Sequence, residues 1–146
     1  PKVSIRDGRI VALEYARYWA QKKNAQARGR FGNIIMAGGD KSLEELIAST
    51  KKGIVVTRTW YIRSVDPQSL LLTGLTRDGT FYVENGKIKH PVKNFRFNES
   101  PVSMLNNLDE LGVPTVLGGG DDSRFQLVIP AMKIRDFNFT SLSDAV

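Results

Sequence analysis

The chain has 146 residues, of which 41% are hydrophobic and 25% charged, as is typical of one globular domain. It contains no cysteine, which excludes disulfides and thiolate metal sites within the chain, and no apolar run approaches the roughly 20 residues that span a bilayer. The net charge of +6 comes from scattered basic residues without a block of like charges. We therefore expect a soluble, cytoplasmic protein that has neither a membrane nor a nucleic acid as its partner.

The N-terminal third is predicted to hold two helices. A turn at Asp7–Gly8 precedes an amphipathic pattern over residues 10–24, and a polar, basic loop follows at 25–31. Residues 33–36 predict a short strand. The second helix, over 42–50, begins with Ser42 and has Glu45 three residues later, which is the capping-box pattern.

From residue 53 onward the hydrophobic period changes to two. Residues 54–62 are rich in β-branched and aromatic side chains and predict a long strand. Two further strands are predicted over 70–76 and 80–84, joined by a tight turn at 77–79. The Asn85–Gly86 pair is the strongest hairpin signal of the chain and leads to strands over 87–89 and 92–97.

The C-terminal third predicts one helix and two or three strands. Ser100 and Pro101 fit the cap and first position of a helix that we expect to run to Leu111. Strands are predicted over 115–117, 126–129 and 132–139, with a flexible Gly-rich loop at 118–124. The predicted fold is α+β: a predominantly antiparallel, curled or barrel-like sheet with about three helices. We expect one domain over 1–146, in which the helix and basic loop of 1–32 continue from a missing upstream domain.

Catalytic motifs are scarce in this sequence. His90 is the single histidine and cannot build a zinc site without partners, and neither an HExxH, a GxSxG nor a P-loop motif occurs. Asp121 and Asp122 in the Gly-rich loop lack calcium-ligand spacing. We assign no catalytic residue, no metal ligand and no cofactor to this chain.

Aromatic and guanidinium groups on neighbouring predicted strands are the strongest candidates for binding. Strand alternation would place Trp60 and Ile62 on one face and Tyr61 and Arg63 on the other. Phe95 and Phe97 would share a face with Arg96 opposite. One interpretation is an aromatic core with a charged outer face. The other is a peptide or partner groove that includes Trp60 and uses Arg63 and Arg96 to recognise carboxylates.

Several segments resemble one known family over most of the chain, from about residue 33 to the end. They are SLEELIAST, GIVVTRTWYIRSVD, LTGLTRDGTFYVENG, PVKNFRFNES and IPAMKIRDFNFT, at 42–50, 53–66, 72–86, 91–100 and 129–140. They resemble the C-terminal region of the TldD/PmbA proteins. The resemblance implies a bacterial or archaeal cytoplasmic metallopeptidase, historically described as a modulator of DNA gyrase. It further implies a homo- or hetero-oligomer with a family paralogue, acting on peptides.

The same resemblance implies where the chemistry lies. The family holds zinc with an upstream HExxxH helix and a cysteine that would fall near residues 123–125, and neither is present here. The resemblance therefore implies a structural and substrate-framing C-terminal domain that works with its upstream domain and, in full length, with zinc. The alternatives are a non-catalytic subunit that supports a catalytic paralogue, and a basic nucleic-acid-associated module.

Overall fold

The computed structural model describes residues 3–29, 32–117 and 126–143, which divide into two compact units. The first unit is built from Pro1–Ile35 and Leu117–Leu127, and the second from Met36–Val116 and Val128–Val146. The described residues contain three helices and mostly antiparallel strands, which confirms the α+β prediction. The larger sheet is an open one rather than a closed barrel.

The first unit is a small assembly of short elements. Strands β1 (Ile5–Arg6) and β2 (Arg9–Ile10) form a hairpin about Asp7 and Gly8, which both have positive φ as the predicted turn requires. Helix α1 covers only Arg17–Lys22, and strand β3 covers Ile34–Ile35.

Helix α1 is much shorter than the predicted 10–24. Its N-cap residue is Ala16, which has no side-chain oxygen to bind the first free N–H groups. Ile10 belongs to β2 instead, because pairing with Ile5 satisfies its backbone.

The second unit holds most of the secondary structure. Its elements are α2 (Leu43–Ala48), β4 (Lys52–Asp66), β5 (Leu71–Glu84), β6 (Lys87–Pro91), β7 (Phe95–Glu99), α3 (Pro101–Asn106), β8 (Leu108–Leu117), β9 (Leu127–Ile134) and β10 (Phe139–Leu142). The larger sheet has the order β10-β7-β5-β4, and β6 also pairs with β5. Strands β8 and β9 are neighbours in a second sheet.

Helix α2 begins at the predicted capping box. The Glu45 N–H donates to Ser42 Oγ at 3.1 Å, and the Ser42 N–H donates to Glu45 Oε2 at 2.7 Å. Both bonds satisfy donors that a helix start leaves unpaired. Leu46 anchors the helix to the core with only 5% exposure.

Replacing Ser42 by alanine is expected to lower the free energy of unfolding by about 1 kcal/mol, since the N-cap acceptor is lost. Urea unfolding followed by circular dichroism would measure it. Ser103→Ala is the matched control, because Ser103 lies inside α3 and its exposed side chain has no capping role. Equal losses in the two variants would contradict the role of the cap.

The predicted turn at 77–79 is wrong, because β5 runs without interruption from Leu71 to Glu84. Val56 pairs with Thr80 and Arg58 with Arg77, so Asp78 and Gly79 together face a single residue of β4. This is a β-bulge. Asp78 has a positive φ of 64°, so the residue types that predicted a tight turn here occur in a bulge instead.

Three other predicted boundaries change at the C-terminal side. Ser100 caps α3 as predicted, and the Val102 N–H donates to Ser100 Oγ at 3.3 Å. The helix ends at Asn106, however, and the last residues of the predicted helix belong to strand β8. Strand β9 joins two predicted strands into one, and β10 begins only at Phe139. The predicted loop at 118–124 lies outside the described residues.

An aromatic part of the second unit's core lies on one face of the larger sheet, while the buried side chain of Leu75 lies on the opposite face. Phe97 is 5% exposed and pairs in register with Gly74, and its ring lies 5.3 Å from that of Phe137. Phe95 stands on the same face, 5.0 Å from Phe139. The prediction that Phe95 and Phe97 share a face is therefore consistent with the structure.

Buried polar groups beside this core are paired with one another. Thr76 and Thr80 are 1% and 3% exposed, and their hydroxyls lie 3.0 Å apart. Both reach Asn94 Oδ1 at 3.1 Å, and the Phe95 N–H donates to Thr76 Oγ1 at 2.9 Å. This network fixes β7 against β5 without leaving these groups unsatisfied.

Candidate functional site

The outer half of β4 is exposed on both faces of the sheet. All nine residues from 57 to 65 are exposed, whereas the strand's first half is partly covered. Beyond its pairing with β5, β4 has no second partner strand among the described residues. Exposed aromatic and aliphatic side chains occupy this edge, with Trp60 at 37%, Tyr61 at 55% and Ile62 at 45%. Exposed apolar edges of this kind mark interaction sites.

A second bulge, in β4 itself, changes which residues share a face. Trp60 pairs with Leu75 and Arg63 pairs with Thr73, so three steps along β4 match two along β5. Tyr61 lies in this bulge and has a φ of 54°. A positive φ is rare for a residue with a bulky side chain. Leu75 and Thr73 are two apart on an unbroken strand segment, so their partners lie on one face. The alternation that separated Trp60 from Arg63 is therefore wrong.

Arg96 lies on the same face. Arg96 belongs to β7 and pairs with Leu75 at the edge of β5 that does not face β4. Its Nη1 lies 3.4 Å from Thr73 Oγ1. The three predicted binding residues, Trp60, Arg63 and Arg96, are thus brought to one face of three adjacent strands. Their role in binding stays a prediction.

Two arginines that the sequence interpretation missed join them. Arg58 is two residues before Trp60, and its partner across the ladder is Arg77. The Arg77 guanidinium carbon lies 4.2 Å from the Trp60 ring centroid, and that of Arg63 lies 4.4 Å from the Tyr61 ring centroid. Arg58 could have been placed on this face from the sequence alone, because it lies two residues before Trp60 on the same strand. Arg77 could not, because residues 77–79 were predicted to form a turn. We name the set of Arg58, Trp60, Arg63, Arg77 and Arg96 the arginine face.

One carboxylate lies among these cations. Asp78 Oδ2 accepts from Arg58 Nη1 at 2.8 Å, and Asp78 Oδ1 lies 3.5 Å from Arg77 Nε. Within the described residues, Arg63 and Arg96 have a ring and a hydroxyl as side-chain contacts, but no carboxylate. In the part of the chain that the structure describes, the arginine face therefore presents two guanidinium groups without a carboxylate partner, and such groups can bind an anion.

A second charged cluster lies beside α2. Lys41 and Lys133 both donate to Glu110, the latter at 3.1 Å, and Lys133 also reaches Ser49 Oγ at 2.8 Å. The hydrogen bonds from Lys41 and then Lys133 hold the pKa of Glu110 below its usual value. The bond to Glu110 likewise raises the pKa of Lys41. These groups satisfy one another, and the cluster fastens β8 to its neighbours.

The donor set of the described residues does not fit the zinc that the family resemblance implies. His90 is exposed, its Nδ1 lies 3.0 Å from the Pro91 carbonyl, and its ring packs beside Tyr82. Across residues 3–29, 32–117 and 126–143, no three histidine, aspartate or glutamate side chains converge as a metal site requires. The carboxylates of Asp121 and Asp122 lie outside the described residues.

No helix in the described ranges has the length and apolar composition needed to cross a bilayer.

The geometry defines a class of protein: an α+β domain whose open antiparallel sheet presents a cationic, aromatic edge. The chain belongs to the PmbA/TldA metallopeptidase C-terminal domain family, whose model matches residues 1–141. This confirms the resemblance to the C-terminal region of TldD/PmbA proteins. No curated protein matches the chain significantly.

Solved structures from three organisms share the fold. TldE from Thermococcus kodakarensis has a TM-score of 0.70 and 18% identity, and the match covers 93% of this chain. Candidate DNA gyrase modulators from Thermotoga maritima and Bacteroides thetaiotaomicron give TM-scores of 0.68 and 0.69 at 19% and 23% identity, with 95% and 94% of this chain covered. The matches cover 32%, 32% and 30% of those chains, so this chain spans about a third of each.

Proposed function

We propose that this chain is the substrate-framing C-terminal domain of a cytoplasmic TldD/PmbA-type metallopeptidase that acts on peptides or unfolded proteins. In this proposal the zinc ligands and the water-activating group lie in an upstream domain of the same protein. The chain itself contributes surface against which an extended polypeptide is held.

The observation that carries this proposal is the outer half of β4, which has no second partner strand among the described residues. An extended peptide can add to a free strand edge through main-chain hydrogen bonds, which depend little on the peptide's sequence. Such binding suits an enzyme that accepts unfolded chains. Trp60 and Arg63 lie on this edge strand and would contact the side chains of the bound polypeptide, and Arg96 lies on the same face two strands further in.

The decisive experiment measures zinc content and hydrolysis on the intact protein. We expect stoichiometric zinc by atomic emission and zinc-dependent cleavage of a disordered, neutral polypeptide. Mutating a histidine upstream of this chain should abolish both. His90→Ala is the matched control and should retain zinc and activity. Loss of zinc in His90→Ala, or undiminished cleavage after zinc removal, would refute the proposal.

A second candidate is a non-catalytic subunit that supports a catalytic paralogue as its oligomeric partner. The observation that favours it is the absence of cysteine from the sequence, whereas the resemblance places a family ligand near residues 123–125. This candidate predicts an intact protein without bound zinc that nevertheless raises the activity of the paralogue on mixing.

A further inference from the structure

The Asn85–Gly86 turn between β5 and β6 contains a pair of residues that can react with each other. In such a pair the backbone nitrogen of glycine attacks the side-chain amide of asparagine, and glycine favours the attack because it has no side chain to hinder the approach. Asn85 is the only asparagine in the sequence that precedes a glycine, and it is exposed. Solvent therefore reaches the group that would react.

The reaction needs no partner other than water and hydroxide. The Gly86 nitrogen gives its proton to a hydroxide ion and bonds to Asn85 Cγ, and the bond from Cγ to Nδ2 breaks. The amide nitrogen takes a proton from water and leaves as ammonia, and a cyclic succinimide remains. Water then opens the ring at either carbonyl carbon, so the product is aspartate or isoaspartate.

The hydrogen bonds of the turn oppose the first step of this reaction. The Gly86 N–H donates to the Thr50 carbonyl at 2.9 Å, and the Asn85 N–H donates to the Lys51 carbonyl at 2.7 Å. A nitrogen whose proton is held by a carbonyl must break that bond before it can lose the proton and attack. The attacking atom is therefore engaged as long as the turn stays in place.

Helix α2 holds the acceptor and closes the space around the turn. Thr50 lies just past the end of the helix, where its Oγ1 donates to the Leu46 carbonyl at 2.9 Å and its N–H to the Ile47 carbonyl at 2.9 Å. A Cβ added at Gly86 would lie 2.5 Å from the Ala48 carbonyl oxygen and 3.1 Å from Ala48 Cα. Leu46 is buried and anchors the helix. The turn can therefore rearrange only by moving away from α2.

We propose that Asn85–Gly86 is a modification site that contact of the turn with α2 keeps unreactive. Deamidation then proceeds only from the opened turn, so its rate reports how often the β5–β6 hairpin leaves the helix. Isoaspartate adds a carbon atom to the backbone, so the two N–H donors can no longer both meet their acceptors. Modification therefore makes the opening permanent. This inference is independent of the proposed function.

The test measures the deamidation rate of Asn85 in the intact protein by peptide mapping and mass spectrometry at mildly alkaline pH. The reference is a synthetic peptide with the sequence of residues 82–89, which has no helix to hold the turn. The folded protein should react at least about tenfold more slowly than the peptide, because opening must precede the attack. Equal rates in the protein and the peptide would overturn the proposal, and so would a peptide that does not react.

Two variants loosen the helix without changing the reacting pair. Thr50→Val keeps the branched shape but removes the hydroxyl that bonds to the Leu46 carbonyl, and it should raise the rate several-fold. Leu46→Ala removes the buried anchor and should raise the rate further. Leu105→Ala, at an exposed position of α3, is the matched control and should leave the rate unchanged.

Wild-type rates in both helix variants would contradict the role of α2. Circular dichroism checks that each variant is folded. If Leu46→Ala does not fold, Thr50→Val alone decides the outcome.

Hydrogen exchange gives a readout that does not depend on the deamidation chemistry. The Gly86 N–H should be protected in the wild type, and Thr50→Val should accelerate its exchange by the same factor as deamidation, since both processes need the same opening. Faster deamidation without faster exchange would show that the reaction occurs in the closed turn, which would exclude the proposal.

The two products should differ in stability. Asn85→Asp reproduces the aspartate product, keeps both N–H donors and tolerates a positive φ, so it should unfold at the same urea concentration as the wild type. The isoaspartate form, separated after incubation, should unfold at a lower concentration. Identical midpoints for these two forms would show that modification does not open the turn.

Discussion

Replacing Phe97 by alanine is expected to lower the free energy of unfolding by about 3–5 kcal/mol, the range for truncating a buried aromatic side chain. The Phe97 ring packs over Gly74 on the neighbouring strand and against Phe137. Its removal would leave a cavity between β7 and β5 at the centre of the larger sheet. Denaturant unfolding monitored by tryptophan fluorescence and circular dichroism would measure the loss.

Phe95→Ala is the matched control for this prediction. Phe95 lies on the same strand and face but is only partly buried, and its ring contacts Phe139 near the sheet edge formed by β10. The control should lose clearly less stability than Phe97→Ala. Equal losses would show that Phe97 is not the centre of this core.

Replacing Gly74 by alanine is expected to cost about 1–3 kcal/mol, because an added methyl group overfills the contact with Phe97. A Cβ at Gly74 would overlap Phe97 Cζ and lie 2.8 Å from Cε1. The ring is buried and cannot move aside without disturbing its neighbours. Glycine is therefore required here by close approach of the aromatic ring.

A double-mutant cycle with Phe97→Leu tests that cause directly. Leucine removes the ring atoms nearest to position 74, so Gly74→Ala should cost less in the Phe97→Leu background than in the wild type. An equal cost in both backgrounds would mean that the penalty arises from the backbone of β5 rather than from the ring.

Local signals in the sequence predicted the features whose partners are close in the chain. The capping box of Ser42 and Glu45, the cap at Ser100 and the Asn85–Gly86 hairpin are all present. Asn85 and Gly86 have φ values of 50° and 74°, as the tight turn requires. Each of these features is decided within about four residues, so the sequence contains the whole interaction.

Features that depend on a partner strand were mispredicted. Asp78–Gly79 has turn chemistry, yet continued pairing with β4 makes it a bulge. Leu108 and Leu111 fit a helical period, but between them Glu110 pairs with Lys133 in β9, and Asp109 pairs with Arg135 just past the end of β9. Helix and strand propensities differ by too little to resist such pairing.

The candidate binding site shows the same division. The sequence identified Trp60, Arg63 and Arg96 as a set, because aromatic and guanidinium groups on adjacent strands are recognisable from composition alone. It could not place Trp60 and Arg63 on one face, because that depends on the bulge at Tyr61. One extra residue in a strand inverts the alternation of every side chain beyond it.

The sequence by itself determined the family, the α+β class, the helix caps and the principal hairpin. Only the tertiary structure decided the face on which each β4 side chain lies, the continuity of β5 and the length of α3. The physical reason is the range of the interactions involved. Caps and tight turns are closed by neighbours in the chain, whereas the register of β4 and β5 is set by contacts between residues up to 32 positions apart, as in the pairing of Lys52 with Glu84.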